Sequence, residues 1–131
     1  MTDAGSALPA GARILVVEDE VLIGMDLVMT LEDWGFVADG PHGSPTAAMA
    51  AIEAFGPEVA ILDVNLGRAG TSLPIAEALG ARGTPFMFLS GYNSSRFADN
   101  ERLRAAPTLR KPVSEALLRR TLATLLSPAE T

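Results

Sequence analysis

The chain has no cysteine, which excludes disulfides and thiolate metal sites. It is also short of positive charge. Ten Lys and Arg against sixteen Asp and Glu leave a net charge of −6, a balance that argues against nucleic acid or an anionic membrane as a direct partner. Long apolar runs are missing too. The first, Ile14 to Val17, is far too short for a signal peptide, and Met1 to Gly11 carries no basic region. No run approaches the roughly 20 residues of a membrane helix, so a cytoplasmic placement is expected. What remains is a 131-residue chain with 48% hydrophobic and 20% charged residues, the proportions of one globular domain with a single core.

Apolar runs and turn residues divide the chain into alternating strands and helices. Residues 1–11 and 128–131 read as flexible tails around a domain of residues 12–127. Arg13 to Val17 is a β-branched central strand ending in Glu18-Asp19-Glu20. Val21 to Trp34 follows, with Leu22, Met25 and Met29 at helical spacing; this predicts a helix that buries the two methionines and stops at Gly35. Trp34, at its end, is expected to pack rather than bind. Phe36 to Ala38 reads as a short strand before a turn, Gly40-Pro41-His42-Gly43, which would expose His42 and leave it no catalytic role. Ser44-Pro45 is an N-cap followed by proline at the first helical position, opening a helix to about Phe55.

Val59 to Leu62 is a buried strand rising into Asp63, and a helix follows from about Ser72, with Pro74 in its first turn. Phe86 to Leu89 is a fourth strand ending at Ser90, and Thr108 to Arg110 a minimal fifth ending at Lys111. Between them Tyr92 to Arg104 has the weakest periodicity of the chain. A helix from Ser114 to Leu126 closes it, with Leu118, Leu122 and Leu125 on one face. Five strands alternating with helices predict an α/β fold, a flavodoxin-like three-layer sandwich whose parallel sheet has the order 2-1-3-4-5.

In that order the ends of strands 1, 3, 4 and 5 are consecutive neighbours. They carry Glu18 and Asp19, Asp63, Ser90, and Lys111. Taken singly, each has an ordinary explanation as a cap, a turn residue or a solvated charge. Together they put two or three carboxylates, a hydroxyl and an ammonium in the crevice where ligands of such sheets bind. Crowded carboxylates repel unless a cation neutralises them, and hard oxygen donors without His or Cys suit Mg²⁺ or a similar ion.

With these motifs in order, Ile-Leu-Val-Val-Glu18-Asp19-Glu20, Asp63 with Asn65 and Gly67, Ser90, and Lys111-Pro112, residues 12–127 resemble a response-regulator receiver domain of two-component signalling. The resemblance implies that Asp63 accepts a phosphoryl group from a histidine kinase or a histidine phosphotransfer protein. It implies Mg²⁺ held by Asp19 and Asp63, by Glu18 through water, and by the backbone carbonyl of Asn65. Ser90 would report phosphorylation and Lys111 would contact the phosphoryl group. The chain departs from the family at Thr108, where a switch aromatic is usual. Phe86-Met-Phe-Leu-Ser90-Gly91-Tyr92 instead is similar to an α-proteobacterial subgroup with Phe-Ala-Thr-Gly-Tyr-like wording, often single-domain and associated with kinases of the HWE class. Tyr92 then becomes the candidate switch residue beside Ser90.

The expected role is a phosphorylation-activated switch acting through contacts with a downstream protein, a phospho-acceptor rather than an enzyme. Three alternatives stand beside it. A haloacid-dehalogenase-type phosphatase would need a second aspartate two residues after Asp63, where this chain has Asn65. A flavodoxin would need a hydroxyl-rich phosphate loop where Glu18-Asp19-Glu20 stands. A degenerate receiver would bind partners without phosphorylation. Arg102, Arg104, Arg110, Arg119 and Arg120 read as a solvated face or part of a partner surface.

Overall fold

A computed structural model describes residues 10–91 and 105–127. Five strands, β1 (Arg13–Val17), β2 (Val37–His42), β3 (Val59–Asp63), β4 (Phe86–Ser90) and β5 (Thr108–Arg110), form one sheet in the order β2-β1-β3-β4-β5. All four pairings are parallel. The helices described are α1 (Val21–Asp33), α2 (Pro45–Phe55), α3 (Leu73–Ala81) and α4 (Glu115–Leu126). This is the three-layer, flavodoxin-like arrangement that the alternating pattern predicts.

Each sheet face has its own core. Leu15, Val17, Leu62 and Phe88 pack with Ala48 and Ile52 of α2 and Ile75 and Leu79 of α3. Ile14, Val16, Ile61 and Met87 pack on the other side with Leu31 of α1 and Leu118 and Leu122 of α4. With both faces covered, β1 and β3 are apolar almost throughout, as central parallel strands must be. Ser44 and Ser114 cap α2 and α4, their Oγ atoms accepting from Ala47 N and Leu117 N at 3.2 Å each. Trp34 packs against the α1/α4 core, as expected, with the Arg119 guanidinium 5.2 Å from its ring centre.

Two expectations need correction. The strand beginning near Phe36 does not end at Ala38 but continues through Gly40-Pro41 to His42. β2 is an edge strand, where a proline without N–H is tolerated, and the ladder shifts register between Leu15 and Val17 before pairing Val17 with His42. His42 is therefore half-buried, its Nε2 3.1 Å from Asp39 Oδ2, rather than free in a turn.

The second correction concerns α1. Leu22, Met25 and Met29 are 83%, 49% and 60% exposed, so the methionines are not core filler. The helix turns Gly24, Leu27, Val28 and Leu31 inward instead. Gly24 decides this. A Cβ there would collide with the Pro41 ring, so the bare glycine lets α1 lie directly on β2.

Candidate functional site

The parallel register aligns the strand ends. Val17 pairs with Leu62, Asp63 with Leu89, and Ser90 with Arg110. Residues just past those pairs are therefore delivered to one sheet edge. Glu18 is buried to 1% exposure and Asp63 to 4%; Asp19 is the more open member of the acidic group. One oxygen from each of Glu18, Asp19 and Asp63 lies within 4.8 Å of the others.

Lys111 closes the cluster from β5. Its Nζ donates to Glu18 Oε1 at 2.9 Å and to Asp63 Oδ2 at 3.2 Å, and stands 4.0 Å from Glu20 Oε1. It is the only lysine in the chain. Its backbone N–H donates to the Ser90 carbonyl at 2.9 Å, tying the ammonium's root to β4. The opposite oxygen of Glu18, Oε2, accepts from Glu20 N at 3.2 Å.

The electrostatics are unbalanced. Burial first, and then the neighbouring Asp63 carboxyl, push the Glu18 pKa up to about 7, against the pull of Lys111. Burial acts to lower the Lys111 pKa, but the bond to Glu18 and the charges of Asp63 and Glu18 outweigh it and hold the ammonium above its usual value. One ammonium thus does not neutralise the carboxylates converging on it. An all-oxygen, acidic cluster of this kind fits a hard divalent cation, the chemistry expected for Glu18, Asp19 and Asp63.

The remaining predicted residues lie around this centre, with different involvement. Asn65 is exposed just past β3; its Oδ1 accepts from Gly67 N at 3.0 Å, and it bridges Thr71 across the loop. Ser90 stands half-buried at the end of β4, yet its hydroxyl donates to the Gly91 carbonyl at 3.3 Å and not to the acidic group. Thr108 is exposed on β5. Tyr92, with the rest of the segment to Arg104, lies outside the described residues.

Two features escape a reading of the sequence. Glu20 shares the Lys111 ammonium, although it stands outside the strand end, and the acidic run Glu18-Asp19-Glu20 is the signal that points to it. A cavity of about 570 Å³ also opens beside Lys111 between α1 and α4, walled by Leu22, Ile23, Leu27, Leu89, Val113 and Leu118, with Asp26 and Glu115 among its lining residues. No sequence periodicity could have located it, because it lies between two elements.

No protein-family model matches the chain. It is 32% identical over 101 residues, 77% of its length, to the transcriptional regulatory protein PdtaR of Mycobacterium tuberculosis, and spans about half (48%) of that relative. It is similar to SdrG from Sphingomonas melonis Fr1, known from a solution structure, with 39% identity, 92% of this chain and 100% of that one covered, and a TM-score of 0.75. A BeF₃-activated SdrG structure gives 40% identity, the same coverage and a TM-score of 0.70. The receiver domain of the Erythrobacter litoralis response regulator PhyR shares the fold at 24% identity, with 93% and 98% covered and a TM-score of 0.74. The chain belongs to the response-regulator receiver family.

Proposed function

We propose that this chain is a phosphorylation-activated signalling switch whose acceptor is Asp63. The observation that carries the reading is the Lys111 ammonium set between Glu18 and Asp63 at the joined ends of β1, β3 and β5. In the proposed step, an Asp63 oxygen attacks the phosphorus of a phosphohistidine in line. The P–N bond breaks, and the histidine nitrogen leaves with the electron pair. Lys111 exchanges part of its pairing with Asp63 for the incoming phosphoryl oxygens. Glu18, Asp19, Asp63 and the Asn65 carbonyl would hold Mg²⁺, which supplies charge neutralisation at the transferring group when bound.

The partner class follows from what must enter. A histidine kinase, of the HWE class on the subgroup resemblance, or a histidine phosphotransfer protein has to bring a phosphohistidine up to Asp63. The apolar groove beside Lys111 and the exposed Leu22, Met25 and Met29 of α1 give such a protein a face to rest on. The acidic flank at Asp26 and Glu115 favours a basic rim on the partner. Activation of the relative SdrG by BeF₃, which mimics a phosphoryl group on a carboxylate, supports the same chemistry here.

The signal would leave through Ser90, whose hydroxyl turns from the Gly91 carbonyl to the phosphoryl oxygens, and through Tyr92 in place of the aromatic absent at Thr108. Output to a downstream protein follows, with no nucleic-acid contact by this domain. Intact mass after incubation with acetyl phosphate tests the acceptor role. The wild type should gain one phosphoryl mass with Mg²⁺ and little without it, and Asp63→Asn should gain none. Stoichiometric labelling of Asp63→Asn would overturn the proposal.

A further inference from the structure

We propose that Gly67 is a positioning residue for the cation site, leaving free the space that the Asp19 carboxylate needs in order to converge with Glu18 and Asp63. The inference rests on the reading of those three carboxylates as cation ligands. Glu18 is fixed by Lys111 Nζ and Glu20 N, and Asp63 by Lys111 Nζ. Asp19 has no such anchor: among the described residues its carboxylate takes no hydrogen bond and no ion pair. Its place is set by the walls around it.

Two glycines stand against it. On the β2 side a Cβ at Gly43 would stand 3.6 Å from Asp19 Cα, an ordinary contact that alanine would fill without displacement. On the β3 side a Cβ at Gly67 would stand 2.8 Å from Asp19 Oδ2, too close for both to keep their places. The loop cannot swing aside to make room. Gly67 N donates to Asn65 Oδ1 at 3.0 Å, Leu66 N to the Gly70 carbonyl at 2.7 Å, and Leu66 itself is buried to 2% exposure. Gly67 also has φ +63, a backbone conformation that costs an L-residue other than Asn or Asp. The Asp19 side chain is therefore the part that must yield, giving up the position from which its oxygen lies within 4.8 Å of the other two carboxylates.

The same fold supplies matched controls. Gly56 caps α2 at φ +64, and a methyl group there would have nothing within 4 Å, so alanine meets the same backbone cost with no neighbour to push. Gly43 has the Asp19 neighbour without the positive φ. The experiment is a Mg²⁺ titration by calorimetry, with the melting temperature of each metal-free protein alongside. The proteins are wild type, Gly67→Ala, Gly67→Asn, Gly56→Ala and Gly43→Ala. Asparagine is included because it tolerates the left-handed conformation while still carrying a Cβ.

Gly67→Ala and Gly67→Asn should bind Mg²⁺ about 10- to 100-fold more weakly than wild type, the range for residues that orient metal ligands. Gly56→Ala should melt lower and keep the wild-type Mg²⁺ affinity; Gly43→Ala should match wild type in both. Wild-type affinity in Gly67→Asn would overturn the positioning role, as would an equal loss of affinity in Gly56→Ala. A wild type that binds no Mg²⁺ at all would overturn the cation-site reading together with this inference, an outcome distinct from the other two.

Discussion

Replacing Glu18 by glutamine should make the metal-free protein more stable at pH 8 and remove most of its pH dependence below that. Glu18 is buried, and its pKa rises from 4.5 to about 7 on folding, so the fold favours the protonated side chain. Stability from this group is fully present below pH 4.5 and is lost as the pH rises through about 7. At about 1.4 kcal/mol per pKa unit, the loss at pH 8 is on the order of 3 kcal/mol. For a chain of this size that corresponds to a fall in Tm of roughly 10 °C. Lys111 does not confound the window, because its pKa is held above 10.5 and its contribution persists to higher pH. Glutamine keeps an acceptor for Lys111 Nζ while imitating the protonated acid. The assay is urea unfolding in chelator at pH 5 and pH 8, with a third arm in millimolar Mg²⁺. The wild type should lose stability toward pH 8, recover about half of it at Mg²⁺ near ten times Kd, and Glu18→Gln should stay nearly flat. Parallel slopes in the two proteins would refute the reasoning.

Other consequences are open to measurement. Millimolar Mg²⁺ should raise the Tm of the wild type, by about 1.4 kcal/mol of stabilisation at ten times Kd, and raise that of Asp19→Asn much less. Lys111→Met should slow phosphorylation of Asp63 by acetyl phosphate and cost about 3 kcal/mol at pH 8, since Glu18 and Asp63 would stay buried without their cation; this is the low end for a broken buried pair because Lys111 is partly exposed. Met25→Gln and Met29→Gln, on an exposed α1 face, should each change stability by less than about 0.5 kcal/mol in chemical denaturation. A loss typical of core methionines would restore the buried assignment.

Much of the site was legible because strand ends are. An apolar run that stops at a polar group marks both a buried strand and its end, and parallel order then brings the charges at Glu18, Asp63 and Lys111 and the hydroxyl of Ser90 to one crevice. Glu18, Asp19, Asp63 and Lys111 are legible that way, and the alternation gives a parallel sheet whose order follows the flavodoxin-like doubly wound pattern. The α1 face was not. Val21 to Leu31 is apolar nearly all round, so Leu22-Met25-Met29 and Gly24-Leu27-Val28-Leu31 both fall at helical spacing, although Asp26 interrupts the first set at i+4 and nothing interrupts the second. The close approach of Gly24 to Pro41 holds the second set inward, and that pairs residues from separate elements. The extent of β2 was hidden for a related reason. Gly40-Pro41 is turn chemistry by local preference, and the edge position that tolerates it is a property of the whole sheet. The direction of the Ser90 hydroxyl, toward the Gly91 carbonyl, is a rotamer choice that no spacing encodes.

The central claim, that Asp63 is the phosphoryl acceptor, is tested most directly by trapping the acyl phosphate. Borohydride reduces an aspartyl phosphate to homoserine, leaving a permanent mark on the residue that carried the group. After acetyl phosphate and Mg²⁺ treatment, reduction and peptide mass mapping, homoserine should appear at position 63 and be absent from the Asp63→Asn protein. Homoserine at Asp19 or another carboxylate, with Asp63 unmodified, would contradict the account.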